Sequence, residues 1–184
     1  PYSLQYLDEN RLGVYDMPTR KYCEVDLKSD YKVIKRSPQL MGRATFTAHC
    51  VPDGRYLGIG PYENSMFTLY DTSGIVKKEF YEYPYKDKED KSIKNHLRAM
   101  AYQGKFCSNP SKDKFVYASS YADILHFYQW DGDSLKIIRK IENSYPAYTP
   151  EESGGGFGAA MDKDKPSGYL SAYATAQYVY VLYS

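Results

Sequence analysis

An aromatic residue followed by aspartate closes an apolar strand at three places along the 184-residue chain: Tyr15-Asp16, Tyr70-Asp71 and Trp130-Asp131. The aspartates lie 55 and 60 residues apart, and Tyr183 follows Trp130 at 53. A second landmark tracks the first. Polar turns at 51–55, 109–114 and 162–168 each lead into a strand headed by an aromatic, Tyr56, Phe115 or Tyr169, at spacings of 59 and 54. Proline fixes φ, and Asp or Gly accepts the remaining turn dihedrals, so each turn reads as a hairpin link. Two landmarks sharing one period mean that a single supersecondary unit is repeated.

The best-defined unit places four short strands near 43–49, 56–60, 66–70 and 75–81, with tight third-to-fourth turns at 72–74 and, one unit later, at 132–134. The 22 tyrosines, most of them beside Val, Ile, Leu, Phe or Thr, suit half-buried sheet. No segment sustains a 3.6-residue apolar period, so helix should be scarce. Four-stranded antiparallel units at this spacing describe an all-β chain of β-propeller blades. The units run approximately over 1–40, 41–95, 96–150 and 151–184 of one domain. The first starts at its second strand, near 3–8, and the last stops in its third, which makes about three and a half blades. Tyr15, Tyr70, Trp130 and Tyr183 should then hold equivalent third-strand sites. A propeller closes to protect its edges. The favoured reading is therefore that the rest of the propeller belongs to a longer chain, the alternative being a small ring closed by these ends.

The pairs Pro52-Asp53-Gly54-Arg55-Tyr56-Leu57 and Asn109-Pro110-Ser111-Lys112-Asp113-Lys114-Phe115-Val116 resemble the Pro-Asp-Gly-Lys-hydrophobic signature of TolB-like β-propellers. The first match is close; the second carries an inserted residue and lacks the glycine, and the first unit has no such turn. The resemblance implies a six-bladed protein exported to the periplasm or cell surface, often lipid-anchored; a cytoplasmic location is the alternative. It supports a fold more than a function. Trp130-Asp131 occurs once and at a period longer than that of WD40 repeats, so it is one aromatic-Asp variant.

Charge and motif content exclude several classes. With 24 Lys+Arg against 23 Asp+Glu the net charge is +1, too little to gather nucleic acid or anionic lipid. No run of about 18 apolar residues is available to span a bilayer. Cys23, Cys50 and Cys107 form no C-x-x-C unit and read as small buried residues, with Cys50 and Cys107 equivalent, unbridged and at the ends of first strands. Gly154-Gly155-Gly156-Phe157-Gly158 lacks the Lys-Ser/Thr of a phosphate loop and reads as the lead-in to a first strand. Neither a metal nor a cofactor is expected. The alternating charges of 85–91 read as a solvated connection. Glu63, Asp123, Glu151 and Glu152 lie on loops, with no pair distinguishable as a glycosidase couple.

Candidate site residues follow from the blade geometry. His49 ends a first strand and His96 opens one; inner strands line a propeller's channel, so both histidines should approach the axis, although each also fits a hydrogen-bonded structural role. His126, inside a third strand, reads as packing. Tyr62, Tyr121 and Tyr173 recur at 59 and 52 residues in second-to-third strand loops and should ring one rim, or else pack between blades. Aromatic rims suit sugars and peptides. Tyr62, Tyr121, Tyr173, His49 and His96 thus form the expected ligand-binding set. The adopted reading is a non-catalytic binding or scaffold module that takes a protein or glycan on its loop face. The alternative is a hydrolase or lyase acting on a glycan through channel-facing histidines and carboxylates.

Overall fold

The computed structural model describes residues 3–42, 44–163 and 167–184. Arg43, the expected start of a first strand, and residues 164–166 of the third polar turn lie outside them. Three four-stranded antiparallel meanders dominate the chain. Blade 1 comprises β1 (Ser3–Asp8), β2 (Arg11–Asp16), β3 (Lys21–Asp26) and β4 (Lys32–Arg36). Blade 2 comprises β5 (Thr47–Cys50), β6 (Tyr56–Ile59), β7 (Phe67–Tyr70) and β8 (Val76–Phe80), and blade 3 comprises β9 (Gly104–Ser108), β10 (Lys114–Ser119), β11 (Ile124–Asp131) and β12 (Ser134–Glu142). Two hairpins follow, β13 (Tyr148–Ser153) with β14 (Gly156–Met161) and β15 (Tyr169–Ala174) with β16 (Val179–Tyr183).

The burial gradient across each blade reflects its sequence. Central strands are sandwiched between neighbouring blades and read as continuous apolar runs: all four residues of β6 and of β7 are buried. Fourth strands face water and carry lysines, as in β4 (KVIKR) and β8 (VKKEF), which protects the outer edges from pairing. First strands converge. β1 packs against β5 and β9, β5 also touches β9, and β15 packs on β9 and β10.

Both repeat landmarks meet in space. Arg55, from the Pro-Asp-Gly turn of blade 2, pairs with Asp133 at 2.7 Å, donates to the Gly132 carbonyl and lies 5.5 Å over the Trp130 ring of blade 3. The turn of one unit thus clamps the aromatic-Asp corner of the next.

Several expectations need correction. Blade 1 begins at its first strand, because β1 pairs with β2 and packs against the first strands of the other blades. Tyr15 therefore sits on a second strand, Tyr70 and Trp130 on third strands, and Tyr183 on the outer strand of a two-stranded hairpin. The signal for β4 was hidden because that strand is exposed throughout and shows no alternation. Residues 88–101 hold two helices, α1 (Lys88–Ser92) and α2 (Asn95–Ala101). Asp87 caps α1 by accepting from the Glu89 and Asp90 amides, and Glu89, Asp90 and Lys91 complement the helix dipole. Gly154 and Gly155 form the β13–β14 turn, at φ of 58° and 81°, with open space where a side chain would stand. They serve left-handed backbone, not close approach to an axis. All three cysteines are free, and Cys50 and Cys107 are buried. Their equivalence is off by one residue: Cys50 pairs with Tyr56, whereas the residue opposite Phe115 is Ser108.

Candidate functional site

The convergence of first strands creates a cleft of about 380 Å³. Thr47 of β5, Lys105 and Phe106 of β9, Ser120 beyond β10 and Ser171 of β15 line it, with Ser3 and Leu4 of β1 opposite. Lys105 is exposed, Thr47 and Ser120 are half-buried, and Phe106 is buried. The cleft combines the hydroxyls of Ser3, Thr47, Ser120 and Ser171 with one ammonium and aromatic surface, a donor-rich lining with an apolar floor. Lys105 and Ser120 also border an adjoining groove of about 370 Å³ against Tyr121, Tyr169 and Leu170. The two hollows share Lys105 and Ser120, and the second lies between blade 3 and the last hairpin.

β9 is held close to β10 because Gly104 has no side chain: a Cβ there would stand 2.3 Å from the Ala118 carbonyl oxygen. That approach brings Lys105 and Ser120 to one wall. On the far side, Tyr169 donates to Asp123, fixing β15 against blade 3. The Asp123 bond also raises the Tyr169 pKa, after burial, which is the larger cause.

The expected site residues are dispersed. Tyr62 is buried, its hydroxyl shared with Thr45 at 2.7 Å and Tyr70 at 3.3 Å, so it packs blade 2 and reaches no rim. Tyr121 borders the groove, half-buried. Tyr173 is 50% exposed and lies two residues beyond Ser171, on the same face of β15 by strand alternation. His49 is sealed beneath Phe106, with ring centroids 5.1 Å apart and neither ring nitrogen hydrogen-bonded. Burial drives its pKa down to about 3, so it is neutral. His96 lies on α2, its ring edge-on to Phe157 at 5.4 Å. Those two imidazoles therefore share no cavity. The carboxylates also part company: Asp123 holds Tyr169 and Asn143, and Glu152 pairs with Lys94 at 3.0 Å. No cluster of three or more metal-ligating residues occurs among the described residues.

Lys105, Ser120 and Ser171 escaped sequence reading. Their signal was weak, three common polar residues whose only shared property is the spatial convergence of their strands.

The TolB-like 6-blade propeller-like family matches residues 7–184. The chain belongs to that family. No curated protein matches it. Among solved structures, a Bacteroides fragilis "Putative exported protein" superposes with a TM-score of 0.42 at 11% identity, over 74% of this chain and 36% of that one. The chain thus spans about a third of that protein's length. No helix among the described residues is long and apolar enough to cross a membrane.

Proposed function

We propose that the chain is the ligand-gripping part of a non-catalytic binding propeller, which takes a glycan or an extended peptide in the cleft where its first strands converge. The observation that carries this reading is the lining itself. Thr47, Ser120 and Ser171 offer hydroxyls, Lys105 an ammonium and Phe106 an apolar floor, within a volume suited to one or two residues of such a ligand. Tyr121 extends the surface along the groove and Tyr173 flanks its outer end; ring faces there add contact area at low entropy cost.

Family membership supports export to the periplasm or cell surface, with a lipid anchor as a further proposal; fractionation of cells producing the full reading frame tests both. Leu4 and Tyr6 on β1 and Leu170, Tyr180 and Leu182 on the last hairpin are exposed apolar residues. They support a longer chain whose remaining blades cover both faces.

The test is a glycan and peptide array, followed by titration of the best ligand against Lys105→Ala and Tyr121→Ala. Each variant should weaken binding by about tenfold, the equivalent of roughly 1.4 kcal/mol. Unchanged affinity in both folded variants would move the site elsewhere.

A further inference from the structure

A third hollow, of about 310 Å³, opens on the flank between blades 2 and 3, and Tyr83 stands between it and the first-strand cleft, lining both. The segment after β8 supplies Tyr81 and Tyr85, α1 supplies Lys91, and blade 3 supplies His126, Lys140 and Glu142. Its inner wall is a fixed polar chain. The His126 side chain is 3% exposed and its Nε2 lies 2.6 Å from Glu142 Oε1. A carboxylate only accepts, so Nε2 carries the proton, and Nδ1 accepts from the Tyr128 hydroxyl at 3.2 Å. Tyr145 donates to the other Glu142 oxygen at 3.1 Å. Tautomer, ring orientation and carboxylate are all set before any ligand arrives.

The mouth of the cavity is cationic. Lys140 stands 3.7 Å from Glu142, too far for a full hydrogen bond, and 48% exposed. The Lys91 ammonium rests on the Tyr85 ring at 4.9 Å, with no carboxylate in ion-pair range among the described residues. Glu82, the other carboxylate of the cavity, is already taken by the buried Arg98 at 2.8 Å. Neither ammonium thus has a close carboxylate partner among the described residues, because the two Glu142 oxygens already accept from His126 and Tyr145. Tyr81 adds a partly exposed ring and a left-handed backbone at φ 51°, a conformation that costs energy in an aromatic residue and clusters at binding sites. Its hydroxyl is pinned to the Leu135 carbonyl at 2.5 Å, which holds the ring against blade 3.

We infer that this flank cavity binds a sugar acid, a single pyranose ring bearing a carboxylate, with the carboxylate on Lys91 and Lys140 and the ring against Tyr81 and Tyr85. The volume admits one ring. The remaining lone pairs of the Glu142 oxygens suit ring hydroxyls and the two ammonium groups suit a carboxylate, whereas a purely apolar ring would answer neither.

Isothermal titration of the folded protein with D-glucuronate and D-galacturonate tests this, with D-glucose and benzoate as comparators. Saturable millimolar-or-tighter binding of at least one uronate is expected, at least tenfold tighter than glucose or benzoate. The exposed-lysine variant Lys91→Ala/Lys140→Ala should lose at least tenfold in affinity, and raised salt should weaken the wild type. Lys105→Ala, in the axial cleft, should leave uronate binding unchanged, which separates this site from the one proposed above. No saturable uronate binding, equal binding of benzoate, or undiminished binding by the folded double variant would overturn the assignment.

Discussion

Gln5 joins three blades with one amide. Its Nε2 donates to the Cys50 carbonyl and to Ser108 Oγ, both at 2.9 Å, while its Oε1 accepts from the Cys50 amide at 2.8 Å and the Tyr22 hydroxyl at 2.5 Å. Tyr22 can reach it only because residue 13 is glycine; a Cβ there would stand 1.7 Å from the tyrosine oxygen. Removing the amide strands several buried polar groups, each worth about 1–3 kcal/mol. Gln5→Leu should therefore lower stability by about 3 kcal/mol or more, and Gly13→Ala should produce a similar loss by displacing Tyr22. Urea unfolding with an unchanged m-value checks both, and a loss below about 1 kcal/mol in each would refute the three-blade knot. His49 adds a pH dependence. Its native pKa is depressed to about 3 by burial, against 6.5 in the unfolded chain. Below pH 6.5 the unfolded state takes up a proton that the native state refuses. Stability is therefore intact above that pH and falls by about 1.4 kcal/mol per pH unit on the way down toward 3. His126 is depressed too, chiefly by burial and with Glu142 opposing, and adds in the same direction. Replacing His49 with leucine should flatten the acid limb of the stability–pH curve; an identical slope in wild type and variant would show that His49 does not carry it.

At the level of elements, legibility followed periodicity. Blades 2 and 3 were readable because turn, aromatic head and aromatic-Asp corner recur in each, and these features physically touch through Arg55, Asp133 and Trp130. Blade 1 was assigned one strand out of phase, since its Tyr15-Asp16 corner imitates a third-strand end while β1 packs at the centre. α1 and α2 were missed for a different reason. Five and seven residues are too short to display a helical period, and the Asp87 cap signal lay inside a charge run that also suits a loop. Site residues were the least legible. A tyrosine in a repeated loop position can point outward, as Tyr121 partly does, or inward, as Tyr62 does, and only the hydroxyl partners Thr45 and Tyr70 decide which. The His126–Glu142 pair was equally hidden: its members are 16 residues apart, and only the β11–β12 pairing brings them to 2.6 Å.

At the scale of the whole molecule, apolar side chains are exposed on two separate elements, β1 and the last hairpin. On β1, Leu4 and Tyr6 are 57% and 38% exposed while the alternate residues Gln5 and Leu7 are buried. On the other, Leu170, Tyr180 and Leu182 of the last hairpin are each more than 50% exposed. Several large apolar side chains exposed on one element are uncommon on a soluble monomer and ordinarily mark a covered face. If further blades cover it, a polypeptide of residues 1–184 alone should associate with itself as concentration rises and should bind a hydrophobic dye. Tyr180→Lys with Leu182→Lys should reduce both without melting blades 2 and 3, whose core, around Phe67, Phe106 and Tyr128, lies apart from the hairpin. Introduced into a longer chain, the same pair should instead destabilise, because two ammonium groups would then be buried in a blade interface without partners. Sedimentation velocity on the short chain and thermal melting of the long one provide the contrast. A monomeric, dye-silent short chain, or a long chain indifferent to the two lysines, would mean that these faces meet solvent in the finished protein.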